Sequence, residues 1–216
     1  VCRMYQKGLR EFLQELPAEE KLIVDDPVPR DGLLTAMVLE MEKRRDYRVV
    51  QFNRVQACDM PVVSNIFSSR ERIAKMAGAS RRDFYMKWHD AQENMVAPRV
   101  VPSGAVQEEV YTGAEVDATT LPIAVHFASD AGRYISSGIV VAKDPDTGVY
   151  NLSYHRMQLK GKNVFGISLH SRGHLWDYFR RSAEKGRDLE IAVIVGCHPA
   201  VYLAASSKLA MDRDEY

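Results

Sequence analysis

The sequence predicts an α+β fold, in which a small N-terminal α/β subdomain is followed by a β-rich part. From residue 106 onward most predicted strands follow one another through short turns, such as residues 144–148, which favours an antiparallel sheet or a small barrel. Neither a G-x-G-x-x-G nor a P-loop motif is present, so the usual phosphate grip of a parallel dinucleotide fold is missing. The composition shifts at residues 98–102, where β-branched residues and glycine replace a helical pattern. We therefore expect an N-terminal subdomain over residues 1–100 and a β-rich domain over residues 101–216.

The N-terminal subdomain is expected to combine short helices with short strands. Leu9, Phe12 and Leu13 recur at helical spacing before Pro17, which ends the pattern. A capping-box pattern at residues 68–71 starts a later helix, and a glycine follows at its predicted end. The predicted helices cover residues 8–15, 33–43, 68–78 and 83–94, and the predicted strands cover residues 21–24, 47–52 and 61–66.

The β-rich half is expected to contain five strands and two helices. Its helices are separated from the N-terminal ones by a long stretch of β-branched and turn residues. Pro199 takes the first position of the last helix, where a missing N–H costs no hydrogen bond. The predicted strands cover residues 106–111, 134–142, 149–159, 164–169 and 189–195, and the predicted helices cover residues 172–185 and 199–207.

Charge and composition disfavour several classes of function. The 216 residues are 46% hydrophobic, which is enough for a real core, and 29 basic residues balance 29 acidic ones. A net charge of zero favours neither nucleic acid nor an anionic membrane as a partner. The cysteines at positions 2, 58 and 197 lack a metal-binding spacing, which indicates reduced thiols. The longest apolar run, residues 191–195, is far shorter than the roughly 20 residues of a membrane span, and we expect a cytoplasmic protein without a signal peptide.

The stretch at residues 151–174 is the strongest candidate for a functional site. It alternates like a strand, turns, forms a second apolar strand and then opens a helix near His174. A helix N-terminus carries unpaired N–H groups and about half a positive charge, so it can bind a phosphate through backbone alone. Asn151 adds an amide oxygen and His174 an imidazole nitrogen, a pair that suits Mn²⁺ or Mg²⁺ better than structural zinc.

Structural roles are the alternative for each of these polar residues. On spacing alone, Asn151 could equally be a turn residue, His174 a surface histidine and Arg156 a solvated charge on a strand. His126 is expected to be a hydrogen-bonded structural histidine rather than a catalytic one. The aspartates at positions 144 and 146 are expected to form a hairpin turn and nothing more.

Several separated motifs, in order along the chain, resemble the UbiD family of reversible decarboxylases, which use prenylated flavin mononucleotide (FMN). The resemblance runs with few gaps from about Leu9 to Tyr216. The motifs are Asp130-Ala-Gly-Arg-Tyr-Ile-Ser, Lys143-Asp-Pro-Asp-Thr-Gly, Asn151-Leu-Ser-Tyr-His-Arg, Gly173-His and Asp214-Glu-Tyr.

The resemblance implies a fold, a cofactor and a set of ligands. The expected β-rich domain is a split β-barrel of the kind that flavin reductases also use. Asn151, His174 and Glu215 would hold Mn²⁺ or Mg²⁺ against the flavin phosphate, with K⁺ as an additional candidate ion. Arg156 would face the substrate, and His155 would turn its side chain to the opposite face and contact the cofactor through its backbone. The implied cofactor-binding residues are Asn151, Leu152, Ser153, Tyr154, His155, Arg156, Gly173, His174 and Glu215.

The implied function is the non-oxidative decarboxylation of an aromatic or α,β-unsaturated carboxylic acid. A flavin prenyltransferase would supply the cofactor, and the longer protein would form a homo-oligomer. The family continues beyond the position of Tyr216, so we expect this chain to be the cofactor-binding portion of a longer decarboxylase and to be inactive by itself. Two alternatives stay open, an FMN-binding oxidoreductase of the flavin-reductase type and a noncatalytic cofactor-binding fragment.

Overall fold

A computed structural model describes residues 8–171, 173–210 and 213–214 of the chain. Over these ranges the protein forms three three-stranded sheets and six α-helices. None of these helices is long and apolar enough to cross a bilayer. The elements are α1 (Leu9–Glu15), β1 (Lys21–Val24), α2 (Leu33–Lys43), β2 (Val49–Phe52), β3 (Val62–Ser64), α3 (Arg70–Met76), α4 (Phe84–Glu93), β4 (Tyr134–Ile135), β5 (Ile139–Lys143), β6 (Tyr150–Tyr154), β7 (Met157–Gly161), β8 (Val164–Ile167), α5 (His174–Glu184), β9 (Ile191–Ile194) and α6 (Pro199–Ala204).

The N-terminal sheet has the order β1-β2-β3, with β1 parallel and β3 antiparallel to β2. Its core contains Val50 and Phe52, both fully buried, and the buried residues Leu34 and Met41 of α2. The predicted bounds of β1 and α2 agree with the structure, because both elements follow a local apolar pattern. The N-cap of helix α3 is Ser69, one residue after the Ser68 of the predicted capping box, since the side chain of Ser69 accepts the capping bond from the N–H of Arg72.

Two antiparallel sheets make up the β-rich part, with the orders β4-β7-β8 and β6-β5-β9. Strand β5 is buried on both faces, because Ile139 packs with α6 residues and Val140 packs with α5 residues. The chain crosses from one sheet to the other next to β5, at Gly138. A Cβ atom there would lie 2.5 Å from the Met157 side chain, so the crossing requires glycine.

Three strand predictions needed correction. Residues 134–142 form two strands in different sheets, and so do residues 149–159, with breaks at residues 136–138 and 155–156. Residues 106–111 do not form the predicted strand, because a 3₁₀ turn at Ala105–Gln107 precedes an exposed segment without strand partners among the described residues. Val106 is 89% exposed, so its β-branched side chain has no surface to pack against.

The described residues show a mixed fold with small open sheets and no closed barrel. The two parts of the chain meet around Arg133, whose guanidinium binds the carboxylate of Asp31 through two bonds of 2.7 Å. Asp31 also accepts the N–H of Val125, and Ala124 packs into the N-terminal core. These contacts place the loop at residues 126–130 beside the sheet β4-β7-β8.

Candidate functional site

A row of polar side chains follows one face of β6. Asn151, Ser153 and His155 alternate along the chain and therefore share that face. The Ser153 Oγ lies 3.2 Å from the Asn151 Oδ1 and 3.1 Å from the His155 Nε2. At the other end of the row, the Asn151 Nδ2 lies 3.3 Å from the Nδ1 of His174. The fold thus brings together the two candidate metal ligands that the sequence places 23 residues apart.

His155 points away from Arg156, as the strand alternation predicted, and its imidazole belongs to this row. Burial lowers the pKa of His155, and a hydrogen bond to the backbone of Ser168 partly offsets that effect. The Ser153 hydroxyl donates to the Asn151 Oδ1, and a carbonyl oxygen has a second lone pair with which it can bind a ligand.

That arrangement can hold a cation. The Asn151 amide lies next to His174, with its nitrogen 3.3 Å from the Nδ1 of the imidazole. An amide carbonyl oxygen and an imidazole nitrogen are both ligands that Mg²⁺ or Mn²⁺ accepts. Asn151 is only 5% exposed, so its amide is held in place. The predicted third ligand, Glu215, lies outside the described residues, among which no three His, Cys, Asp or Glu side chains form a metal-binding group.

Helix α5 starts at His174, directly beside Asn151. Its N-cap is Gly173, which has no side chain to bond the N–H groups of the first turn. These groups and the helix dipole therefore form a ready anion site next to the candidate cation site. The structure places the helix start next to Asn151, and the phosphate that the sequence predicted there stays a prediction.

The far end of α5 is fixed by an ion pair that the sequence did not reveal. Asp144 was expected to form a hairpin turn, and it does accept the N–H groups of Asp146 and Thr147. Its carboxylate also binds Arg181 of α5 through two bonds of 2.9 and 2.6 Å. The Arg181 guanidinium, helped by the two backbone N–H groups, holds the pKa of Asp144 at about 2. No sequence spacing links Asp144 to Arg181, so this ion pair, the Asp144–Arg181 clamp, is seen only in the folded structure.

The other side of β6 carries Leu152 and Tyr154. Leu152 is buried in the core with Tyr202, and the Tyr154 hydroxyl donates to the Tyr202 carbonyl at 2.7 Å. Burial raises the pKa of Tyr154. Because these side chains point away from Asn151, only their backbone atoms can contact a cofactor bound on the Asn151 side.

An open pocket of about 600 Å³ lies on one face of the sheet β4-β7-β8. Arg156 is exposed at this pocket, and among the described residues its guanidinium has no hydrogen-bond or ion-pair partner. Five unpaired N–H donors in a planar fork suit a carboxylate. The strands contribute Tyr134, Ser136, Arg156, Gln158, Gly166 and Ser168 to the wall, and the preceding loop contributes His126, Phe127 and Asp130.

His126 has the hydrogen bonds of a structural histidine, as predicted. Its Nε2 lies 3.2 Å from the Tyr134 carbonyl, which can only accept, so this nitrogen carries the proton. The Nδ1 then accepts from the hydroxyl of Thr35 at 3.1 Å. Asp130 closes the loop by accepting the N–H groups of His126 and Phe127. The ring also faces the pocket, which the sequence did not indicate.

A pocket lined by the exposed Arg156, together with a helix N-terminus next to the Asn151–His174 pair, is the kind of arrangement that can bind an acid and a phosphate-bearing cofactor. Two family models match the chain, the 3-octaprenyl-4-hydroxybenzoate carboxy-lyase N-terminal domain at residues 13–92 and the Rift-related domain of the same enzyme at residues 99–216. The chain belongs to the UbiD family.

The relatives include decarboxylases and a flavin complex. The anhydromevalonate phosphate decarboxylase of Methanothermobacter thermautotrophicus is 34% identical over 208 residues, which are 96% of this chain and 47% of that protein. The UbiD-class enzyme HmfF from Pelotomaculum thermopropionicum in complex with FMN is 35% identical with a TM-score of 0.89, over 97% of this chain and 47% of that one. An evolved dimeric form of HmfF in complex with prenylated FMN has the same identity and TM-score, over 96% and 48%. The chain spans about half the length of the curated relatives it matches.

Proposed function

We propose that this chain is the cofactor-binding portion of a prenylated-FMN-dependent decarboxylase that acts on an aromatic or α,β-unsaturated carboxylic acid. Membership of the UbiD family, the flavin complexes of HmfF and the decarboxylase names of the relatives support this proposal. The observation that carries it is the exposed guanidinium of Arg156, which lines an open pocket and has no partner in the described part of the chain.

The residues at the start of α5 fit the phosphate end of such a cofactor. The backbone N–H groups after Gly173 would bind phosphate oxygens, and Asn151 and His174 would share Mn²⁺ or Mg²⁺ with the same phosphate. Ser153 would keep the Asn151 amide in its orientation, because its hydroxyl donates to the Asn151 Oδ1, and His155 would hold Ser153 in place. Glu215 would complete the cation site, and K⁺ is a second candidate ion.

Arg156 would bind the substrate carboxylate through two parallel N–H bonds and orient it at the pocket. When bound, the prenylated flavin would supply an electron sink for the pair of electrons left by departing carbon dioxide. Phe127 and Ile167 line the same pocket and would contact the apolar part of the acid. The pocket is open, so the remainder of a longer protein would cover it and exclude water.

We further propose the division of the chain near residue 100, a split barrel completed in the longer protein, a cytoplasmic location and a homo-oligomeric assembly. The dimeric form of HmfF is consistent with the last point. A flavin prenyltransferase would be the source of the cofactor.

The substitution Arg156→Lys tests the proposed function. Lysine keeps the charge but loses the planar fork, so decarboxylation by the full-length protein loaded with prenylated FMN should fall by about 100-fold, or about 3 kcal/mol of barrier, while flavin content stays the same. Arg82→Lys, at an exposed position outside the pocket, is the matched control and should change neither quantity. Normal turnover by the Arg156→Lys variant, or nicotinamide oxidation in place of carbon dioxide release, would reject the proposal.

A further inference from the structure

We propose that Asp31 of the N-terminal subdomain is a positioning residue for the pocket on the sheet β4-β7-β8. It holds residues 124–134, here called the pocket loop, and this loop carries the wall residues His126, Phe127 and Asp130. The pocket lining lies between positions 126 and 168, so Asp31 acts on the pocket from another part of the fold. The holding of the loop is independent of the proposed function, and only its effect on a bound acid rests on that function.

The carboxylate of Asp31 joins the two ends of the pocket loop. Its two oxygens each accept a guanidinium N–H of Arg133 at 2.7 Å, near the end of the loop. The Oδ1 atom also accepts the backbone N–H of Val125 at 3.0 Å, near the beginning of the loop. At the base, Tyr134 donates its N–H to the Ala124 carbonyl at 3.0 Å. A single side chain therefore fixes the direction in which the loop leaves its base.

The start of α2 adds two bonds beside Asp31. Gly32 donates its N–H to the Val125 carbonyl at 2.9 Å, so both backbone polar groups of Val125 bind this short turn. Gly32 has a φ of 76°, which glycine adopts without strain. In the first turn of α2, the hydroxyl of Thr35 lies 3.1 Å from the Nδ1 of His126. The first wall residue of the loop is thus held through its neighbour's backbone and through its own side chain.

The tip of the pocket loop is exposed, and polar bonds hold it. Phe127 is 51% exposed, and its N–H donates to Asp130 within the loop. The base is anchored differently, since Ala124 is buried in the N-terminal core. The side chains of Asp31 and Arg133 are 45% and 29% exposed, so their ion pair contributes little to global stability. Removing this pair should therefore release the loop while the N-terminal core stays folded.

Three variants of the full-length protein test the inference. Asp31→Ala removes every bond of the carboxylate, whereas Asp31→Asn keeps one acceptor oxygen for Val125 and loses the second oxygen that binds Arg133. The milder change keeps the test decisive if Asp31→Ala does not fold. The matched control is Asp26→Ala, which removes the same charge from the same connection between β1 and α2 at an exposed position.

Two measurements separate the loop from the acid. Hydrogen exchange followed by mass spectrometry measures the pocket loop directly, and titration calorimetry with cinnamic acid measures binding to the protein loaded with prenylated FMN. Asp31→Ala should raise the exchange of residues 124–134 by at least about ten-fold, while the exchange of α2 and β2 and the flavin content stay the same. Its affinity for cinnamic acid should fall by about five-fold, because the wall must then be ordered on binding. Asp31→Asn should show a smaller effect of the same kind, and Asp26→Ala should show neither effect.

Unchanged exchange of the pocket loop in both Asp31 variants would overturn the inference, because other contacts would then hold the loop. Faster exchange with unchanged affinity for the acid would also overturn it, because Asp31 would then have a structural role alone. Binding of cinnamic acid that depends on Asp31, without release of carbon dioxide, would support the positioning role and reject only the proposed function.

Discussion

Replacing Asp144 with asparagine is expected to loosen α5 and to destabilise the fold by about 1–2 kcal/mol at neutral pH. The Asp144 carboxylate is 6% exposed and its two Arg181 bonds hold its pKa at about 2, against an ordinary value of 3.8. This difference corresponds to about 2.5 kcal/mol at roughly 1.4 kcal/mol per pH unit. The loss should be smaller than the full value, because Arg181 keeps Asp177 and Asp146 as partners.

The pH dependence of this contribution has a definite sign. Folding lowers the pKa of Asp144, so the ionised carboxylate favours the folded state. The stabilisation is fully present above the ordinary value of 3.8 and is lost as the pH falls through about 2. Between these limits the Asp144→Asn variant should lose less stability on acidification than the unsubstituted protein.

Urea unfolding followed by circular dichroism, at pH 7 and at pH 3, measures both effects. The matched control is Asp146→Asn, which removes the same charge from the same hairpin at a side chain that is 42% exposed. We expect this control to cost less stability than Asp144→Asn, because water screens an exposed ion pair. Equal losses in the two variants, or identical acid dependence in Asp144→Asn and the unsubstituted protein, would show that the buried pair does not hold α5.

Two further predictions concern the substitution of His174 and the reactivity of the Cys197 thiol. His174→Ala should lower the manganese content and the flavin content together, as measured by metal analysis and absorbance. The control His89→Ala, at an exposed position, should change neither. Normal manganese and flavin content in the His174→Ala protein would contradict the proposed cation site. Burial raises the pKa of the Cys197 thiol to about 11, so about 0.1% is thiolate at pH 8, and alkylation mapped by mass spectrometry should be slow until urea unfolds the chain. Rapid labelling of Cys197 in the native protein would contradict that pKa.

Helix and strand positions in the N-terminal part followed from the sequence because their signals are local. The apolar period of α2 and the short apolar run of β1 gave their bounds, and each element buries the face that its pattern indicates. The same local signals located the helix that begins at His174 and the strand that carries Asn151. The resemblance to a family then joined these positions into one site.

Contacts between distant segments could not be obtained in this way. Arg72 has no unusual sequence context, yet it is 3% exposed and donates to Glu20 and to the Tyr47 carbonyl. The Asp144–Arg181 clamp and the bonds between Asp31 and Arg133 are of the same kind. Each of these contacts depends on which distant segments pack together, and that packing cannot be obtained from a single sequence.

The sequence by itself determined which segments form helices and which form strands, the candidate ligands Asn151 and His174, and the family. These depend on residue identity and on the local spacing of apolar residues. Only the tertiary structure decided that residues 134–142 and 149–159 each divide between two sheets. A strand period continues through such a break, because alternation reports which faces are apolar and not which partner covers them. The structure alone also placed Arg156 in an open pocket on the sheet β4-β7-β8, because that position follows from the chain crossing between the two sheets.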